Sequence, residues 1–88
     1  MATPVIFPTP YQMADMLRAC VEYEGVQVSV EEKTDSSYWI TVEWINDIGS
    51  YYDGFYYEYT NPVEGYPWAA RRFAEIVCDL WDYIAQTV

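Results

Sequence analysis

The chain has 88 residues and a net charge of −10, from fourteen acidic and four basic side chains, with no histidine. Phosphate contacts need Lys and Arg, and with only Arg18, Lys33, Arg71 and Arg72 present, direct binding to nucleic acid or to an anionic membrane is not expected. Acidic chains that stay disordered are poor in apolar residues, whereas this one is 52% hydrophobic and 19% aromatic, so a single small folded domain over residues 1–88 carries the charge.

Residues 1–8 read as an extended arm pinned by Pro4, Pro8 and Pro10. Thr9, Pro10 and Gln12 form a helix start, with a capping threonine, proline at the first helical position and glutamine closing a capping box. Met13, Met16, Leu17 and Cys20 recur at helical spacing and Gly25 is a natural stop, which predicts a helix over 10–24. The period then changes to two. Val26, Val28 and Val30 alternate with polar residues and predict a strand over 26–32.

A polar turn follows at 33–37. Tyr38, Ile40, Val42 and Trp44 then share one face of a second strand, over 38–46, and Trp39, Thr41, Glu43 and Ile45 share the other. After a loop at 46–50, a third strand is predicted over 51–60, with Phe55, Tyr57 and Tyr59 on one side and Tyr52, Tyr56 and Glu58 on the other. Gly65 and Pro67 predict a turn before the last helix, over 67–86. Its apolar stripe is Ala69, Phe73, Ile76, Val77, Leu80 and Ile84.

The expected fold is therefore α+β: helix, three antiparallel strands, helix. Both helical stripes need a sheet face to bury against. The simplest arrangement puts both helices on the face of Val26, Val28, Val30, Ile40, Val42, Trp44, Phe55 and Tyr57, leaving the other face in water. No apolar run approaches the roughly 18 residues of a membrane span. The first eight residues lack the basic segment of a signal peptide. The expected location is cytoplasmic, with Cys20 and Cys78 as reduced, buried small hydrophobes.

Catalysis has little to work with. Histidine, the commonest general base, is absent, and two isolated cysteines make no zinc site. The four glycines are scattered at turns and form no phosphate-cradling loop. Asp47, Asp53 and Glu58 take the first, seventh and twelfth places of a calcium-loop length. Gly49 and Tyr51 stand where oxygen ligands are needed, however, and Tyr52 where glycine is required. No enzyme activity, cofactor or metal is expected.

The distinctive local signal is the run Tyr51, Tyr52, Tyr56, Tyr57 and Tyr59. Alternation buries about half of these rings and turns the rest outward. Exposed Tyr and Trp are enriched at binding hot spots and attract Arg and Lys through their ring faces; neighbouring carboxylates add charge-assisted bonds. The expected partner-binding residues are Glu31, Trp39, Glu43, Tyr52, Asp53, Tyr56 and Glu58. Glu75, Asp79 and Asp82 form a second acidic patch along the last helix, and Glu22, Glu24, Glu31, Glu32 and Asp35 an acidic corner.

The element order from about residue 10 to 85 resembles the double-stranded RNA-binding domain. That family carries a basic cluster at the start of its second helix and a histidine-bearing loop between its first strands. Here those places read Pro67, Trp68, Ala69, Ala70, Arg71, Arg72 and Thr34, Asp35, Ser36, so the resemblance implies a topology and no RNA-binding residue. With its acidic set from Glu22 to Asp82, the chain also resembles small phage-encoded inhibitors, among them many anti-CRISPR proteins and DNA mimics. That class-level likeness implies an acidic inhibitor occupying the surface of a basic, nucleic-acid-binding protein, as a monomer or homodimer. The alternatives are an adaptor that homodimerises through its aromatic sheet face and, third, a carbohydrate-binding aromatic platform.

Overall fold

In the computed structural model, which describes residues 6–34 and 36–88, the order is helix α1 (Pro10–Cys20), strands β1 (Val26–Thr34), β2 (Ser37–Ile45) and β3 (Ser50–Glu58), and helix α2 (Pro62–Thr87). The strands form one antiparallel sheet in the order β1-β2-β3. Of the arm expected over 1–8, residues 1–5 lie outside the described residues, as does Asp35. Pro8 does anchor the chain: its carbonyl accepts a 2.6 Å bond from the buried Tyr57 hydroxyl.

The capping box forms as the sequence indicates. Gln12 N donates to Thr9 Oγ1 at 3.1 Å, and Thr9 N donates back to Gln12 Oε1 at 2.9 Å. α1 nevertheless ends at Cys20, short of Glu24. Val21 leaves helical geometry and buries its side chain in the core, and Trp81 Nε1 donates to the Cys20 carbonyl at 2.8 Å, satisfying one orphan of the helix end. Gly25, at φ +90°, makes the turn into β1 instead of ending the helix.

The buried stripe of α1 is Pro10, Met13, Ala14, Leu17 and then Val21. Met16 and Cys20 face solvent. Cys78, on the outer side of α2 between the buried Ile76 and Leu80, is exposed too. The expectation of two buried cysteines is therefore corrected: neither lies on its helix's core-facing stripe.

α2 begins at Pro62, five residues earlier than expected. Pro62 takes the first helical position, where its missing N–H costs nothing. Pro67 inside the helix removes one backbone bond near the helix start. Gly65 is no stop signal: a Cβ there would lie 2.3 Å from the Glu58 carbonyl oxygen, so glycine lets the first turn of α2 press against the end of β3.

Both helices cover one sheet face. The core is Met13, Ala14, Leu17, Val21, Ile40, Val42, Trp44, Phe55, Tyr57, Ala69, Ile76, Leu80 and Ile84, with Val26, Val28 and Val30 packed against it. The thinnest dimension, 17 Å, has room for one helix layer on one sheet layer. Among the described residues, no helix covers the other face of the sheet.

Strand ends differ from expectation by one or two residues. β1 runs on to Thr34 through an irregularity between Glu32 and Thr34, and Ser36, at φ +59°, closes the hairpin. β3 starts at Ser50 and ends at Glu58, where Tyr59 N turns to donate to the Ser36 carbonyl at 2.8 Å. The β2–β3 loop is fixed by Asn46, whose Oδ1 accepts from the N–H groups of Ile48 and Gly49 at 2.8 and 3.0 Å.

Candidate interaction surface

Cross-strand register builds the open face row by row. Glu31, Trp39 and Tyr56 lie side by side across the three strands, and Gln27, Glu43 and Tyr52 form a second row. Between them stand Ser29, Thr41 and Gly54, the smallest row of the face. Gly54 has a specific task. A Cβ there would come within 2.8 Å of both Trp39 Cζ2 and the Ile40 carbonyl oxygen. The bare backbone therefore gives the Trp39 indole room to lie across β3. The ring stacks on Tyr56 with centroids 4.6 Å apart at 47°, a favourable tilted geometry.

Tyr52 and Tyr56 stand 63% and 57% exposed, so the two rings offer contact area to a partner. Glu43 is half-buried and Glu58 exposed, and among the described residues neither is in an ion pair. Glu31 pairs with Lys33 at 3.2 Å. Of the expected partner-binding residues, Glu31, Trp39, Glu43, Tyr52, Tyr56 and Glu58 thus share one face.

Asp53 does not join them. Odd-numbered residues of β3 face the helices, and Asp53 stands opposite Val42 on the covered side. Its carboxylate accepts from Arg72 at 3.2 and 3.3 Å, from Gly54 N at 2.7 Å and from the Tyr51 hydroxyl at 3.4 Å. Arg72 also pairs with Glu75, so one guanidinium ties α2 to β3 through two carboxylates. The guanidinium is held in its charged form by Glu75 above all, then by Asp53, with burial opposing. Since the Asp53 pair is about one-third exposed, Asp53→Asn should cost about 0.5–1 kcal/mol of stability. It should leave partner binding unchanged, a comparison that urea unfolding and a binding isotherm make directly.

Glu75, Asp79 and Asp82 are all exposed on α2. The helix lies on the side of the sheet opposite Trp39 and Tyr56, so one flat partner surface reaches one patch or the other. The calcium-loop pattern does not assemble. Asp47 is in the β2–β3 loop, while Asp53 and Glu58 project from opposite faces of β3. Among the described residues no group of three or more metal-ligating side chains converges.

Two phenols on the covered face have a pH consequence. Burial first, then the Asp53 carboxylate, pushes Tyr51 up to about 12, and burial followed by Tyr59 and Tyr66 pushes Tyr57 up to about 12. Both pKa values rise above the ordinary 10.0 of an unfolded tyrosine. The folded state therefore holds protons that the unfolded state gives up between the two values. The contribution to stability is complete below pH 10 and lost as pH rises toward 12. Urea midpoints at rising pH should fall across that window, and a flat profile would show that the phenols are not held neutral by the fold.

Trp68 was not foreseen as a surface residue of interest. It sits on α2 beside the end of β3, 69% exposed, next to a depression that it lines with Tyr56, Glu58, Glu64 and Gly65. The signal for it is present in the sequence: Trp68 immediately precedes Ala69 and so falls off the apolar stripe of its helix, where a large indole has no core to fill.

No family model, curated protein or solved structure matches the chain. The fold defines the class of domain as α+β, two helices on one face of a three-stranded antiparallel sheet. Among the described residues, no helix is long and apolar enough to cross a membrane.

Proposed function

We propose that the protein is an acidic inhibitor that occupies the basic, nucleic-acid-binding surface of a larger protein, in the manner of phage-encoded anti-CRISPR and other anti-defence proteins. One observation carries this reading: among the described residues a whole sheet face is left without cover while presenting a stacked Trp39–Tyr56 pair, an exposed Tyr52 and the carboxylates of Glu43 and Glu58. Burying a face of that kind against another apolar surface would strand the carboxylates. Meeting Lys and Arg satisfies the acids and places cations over the rings.

The charge balance fits the same partner. Arg18 pairs with Asp15, Lys33 with Glu31, and Arg72 with Asp53 and Glu75. Arg71 lies over Trp68. The protein's own cations are thus engaged internally, and the unpaired charge it shows to a partner is almost wholly negative. Such a surface speeds encounter with a basic groove and sets its orientation. On the open face three carboxylates, Glu31, Glu43 and Glu58, stand among three rings, Trp39, Tyr52 and Tyr56, so the contact is a mixed aromatic and acidic one and not a copy of the close-spaced phosphates of a duplex. No catalytic step and no cofactor enter this mechanism.

Because the encounter is between opposite charges, affinity for the partner should fall at least tenfold between about 50 and 200 mM salt. An affinity that stays flat over that range would remove the electrostatic part of the mechanism. Self-association is the competing use of the face. Like charges would meet across a symmetric dimer, so sedimentation at micromolar concentration should give a monomer. A tight dimer that dissociates on Trp39→Ala would instead assign the face to homodimerisation.

A further inference from the structure

The depression beside Trp68 lies where the last residues of β3 meet the first turn of α2. It is a cavity of about 340 Å³ lined by Tyr56, Glu58, Glu64, Gly65 and Trp68. Gly65, one of its lining residues, lets α2 press against the Glu58 carbonyl there. Two aromatic side chains wall it, both more than half exposed. Its carboxylates come from two different elements, and among the described residues neither has an ion-pair partner. The larger hollow between the end of α1 and β1 is a weaker candidate, since Arg18 spans it to donate to the Val28 carbonyl at 3.0 Å.

We infer that this cavity receives the guanidinium of an arginine side chain from the partner. The inference rests on the reading of the adjoining sheet face as a surface for a basic protein, and it names the group that anchors there. Planar guanidinium stacks on aromatic faces and bonds two carboxylates in fixed directions, whereas a lysine ammonium is a strongly hydrated point charge that stacks poorly. The same indole already accepts one guanidinium from within the chain, with Arg71 Cζ 5.8 Å from the Trp68 ring centroid in the neighbouring depression lined by Pro67, Trp68 and Arg71.

Glu64 stands in the first turn of α2, where it complements the helix dipole. Glu58 lies on the strand and has no such role. The positive end of a helix amounts to about half a charge and Arg71, over the same indole, adds one; the two full carboxylate charges still exceed their sum, so the cavity remains a cation site. Tyr56 belongs both to this cavity and to the Trp39 stack, which makes the arginine site continuous with the open face.

The test uses the whole protein labelled with ¹⁵N and three capped tripeptides that differ only at the central residue: arginine, lysine or citrulline. The arginine peptide should move the Trp68 indole signal and the Glu58 and Gly65 amides. Citrulline, planar but neutral, should move none of them, and lysine should bind at least fivefold more weakly than arginine. Trp68→Ala, at an exposed position, and the double variant Glu58→Gln with Glu64→Gln should each weaken arginine-peptide binding at least fivefold while leaving the remaining spectrum in place. An arginine peptide that leaves those signals still, citrulline or lysine binding equal to arginine, or unchanged affinity in the double variant would each overturn the inference. Peptide binding is read without any partner. Failure here leaves the open-face interface standing on its own tests, and failure to find a basic partner leaves the arginine cavity in place.

Discussion

Trp44→Ala is expected to remove most of the stability of this domain. Trp44 is fully buried on the covered face of the central strand, in T-shaped contact with Tyr83 and Tyr23 at centroid distances of 5.7 and 6.3 Å. Its Nε1 donates to the Glu24 carbonyl at 3.2 Å, fastening the link between α1 and β1. Truncating a buried tryptophan loses both its transfer free energy and the packing of the cavity left behind, about 3–5 kcal/mol. A domain of this length has a total of roughly 4–13 kcal/mol to lose, so the variant should be largely unfolded on modest warming. Urea unfolding followed by circular dichroism measures it. Trp68→Ala, at an exposed position, should stay within about 0.5 kcal/mol of the parent. Equal losses at the two tryptophans would mean that the burial of Trp44 and the exposure of Trp68 are wrongly assigned.

The second large effect is on binding. Trp39→Ala combined with Tyr56→Ala removes the stacked pair from the open face. Central aromatic anchors at interfaces typically cost 2 kcal/mol or more on truncation, which is about thirtyfold in affinity. The effect on folding should be smaller. Trp39 is half-buried over Gly54 and Tyr56 is exposed, so the pair contributes about 1 kcal/mol of packing beyond area burial. A variant that keeps its circular dichroism spectrum while losing the partner separates interface from scaffold. One that unfolds would place the pair in the scaffold.

Which parts were legible in the sequence follows from how local their causes are. The period-two pattern of Val26, Val28 and Val30 and of Ile40, Val42 and Trp44 determines a face, and both helices do pack on it. The same alternation places Asp53 with Phe55 and Tyr57, on the covered side. Grouping it with Tyr52 and Tyr56 weighed charge over period, and the period won because Arg72 is positioned to receive the carboxylate.

The start of α2 was misplaced because Gly65 and Pro67 carry breaker propensity. Here the close approach to Glu58 demands a glycine, and α2 runs through Pro67 in its second turn with the loss of one backbone bond. The end of α1 depended on Trp81, 61 residues further along the chain, reaching the Cys20 carbonyl. Nothing local to Cys20 encodes that. The aromatic and acidic character of the open face was readable residue by residue. The cavity beside Trp68 was not, since it exists only where the first turn of α2 meets the end of β3.

The most direct measurement is a quantitative capture from a nuclease-treated cell lysate, with the wild type and the Trp39→Ala, Tyr56→Ala double variant immobilised side by side and bound proteins identified by mass spectrometry. The expected result is a basic, nucleic-acid-binding protein retained by the wild type, lost with the variant, and released by added salt or by competing nucleic acid. Retention of the same proteins by both baits, or a captured protein that nucleic acid fails to displace, would contradict the open face as a surface for a nucleic-acid-binding groove.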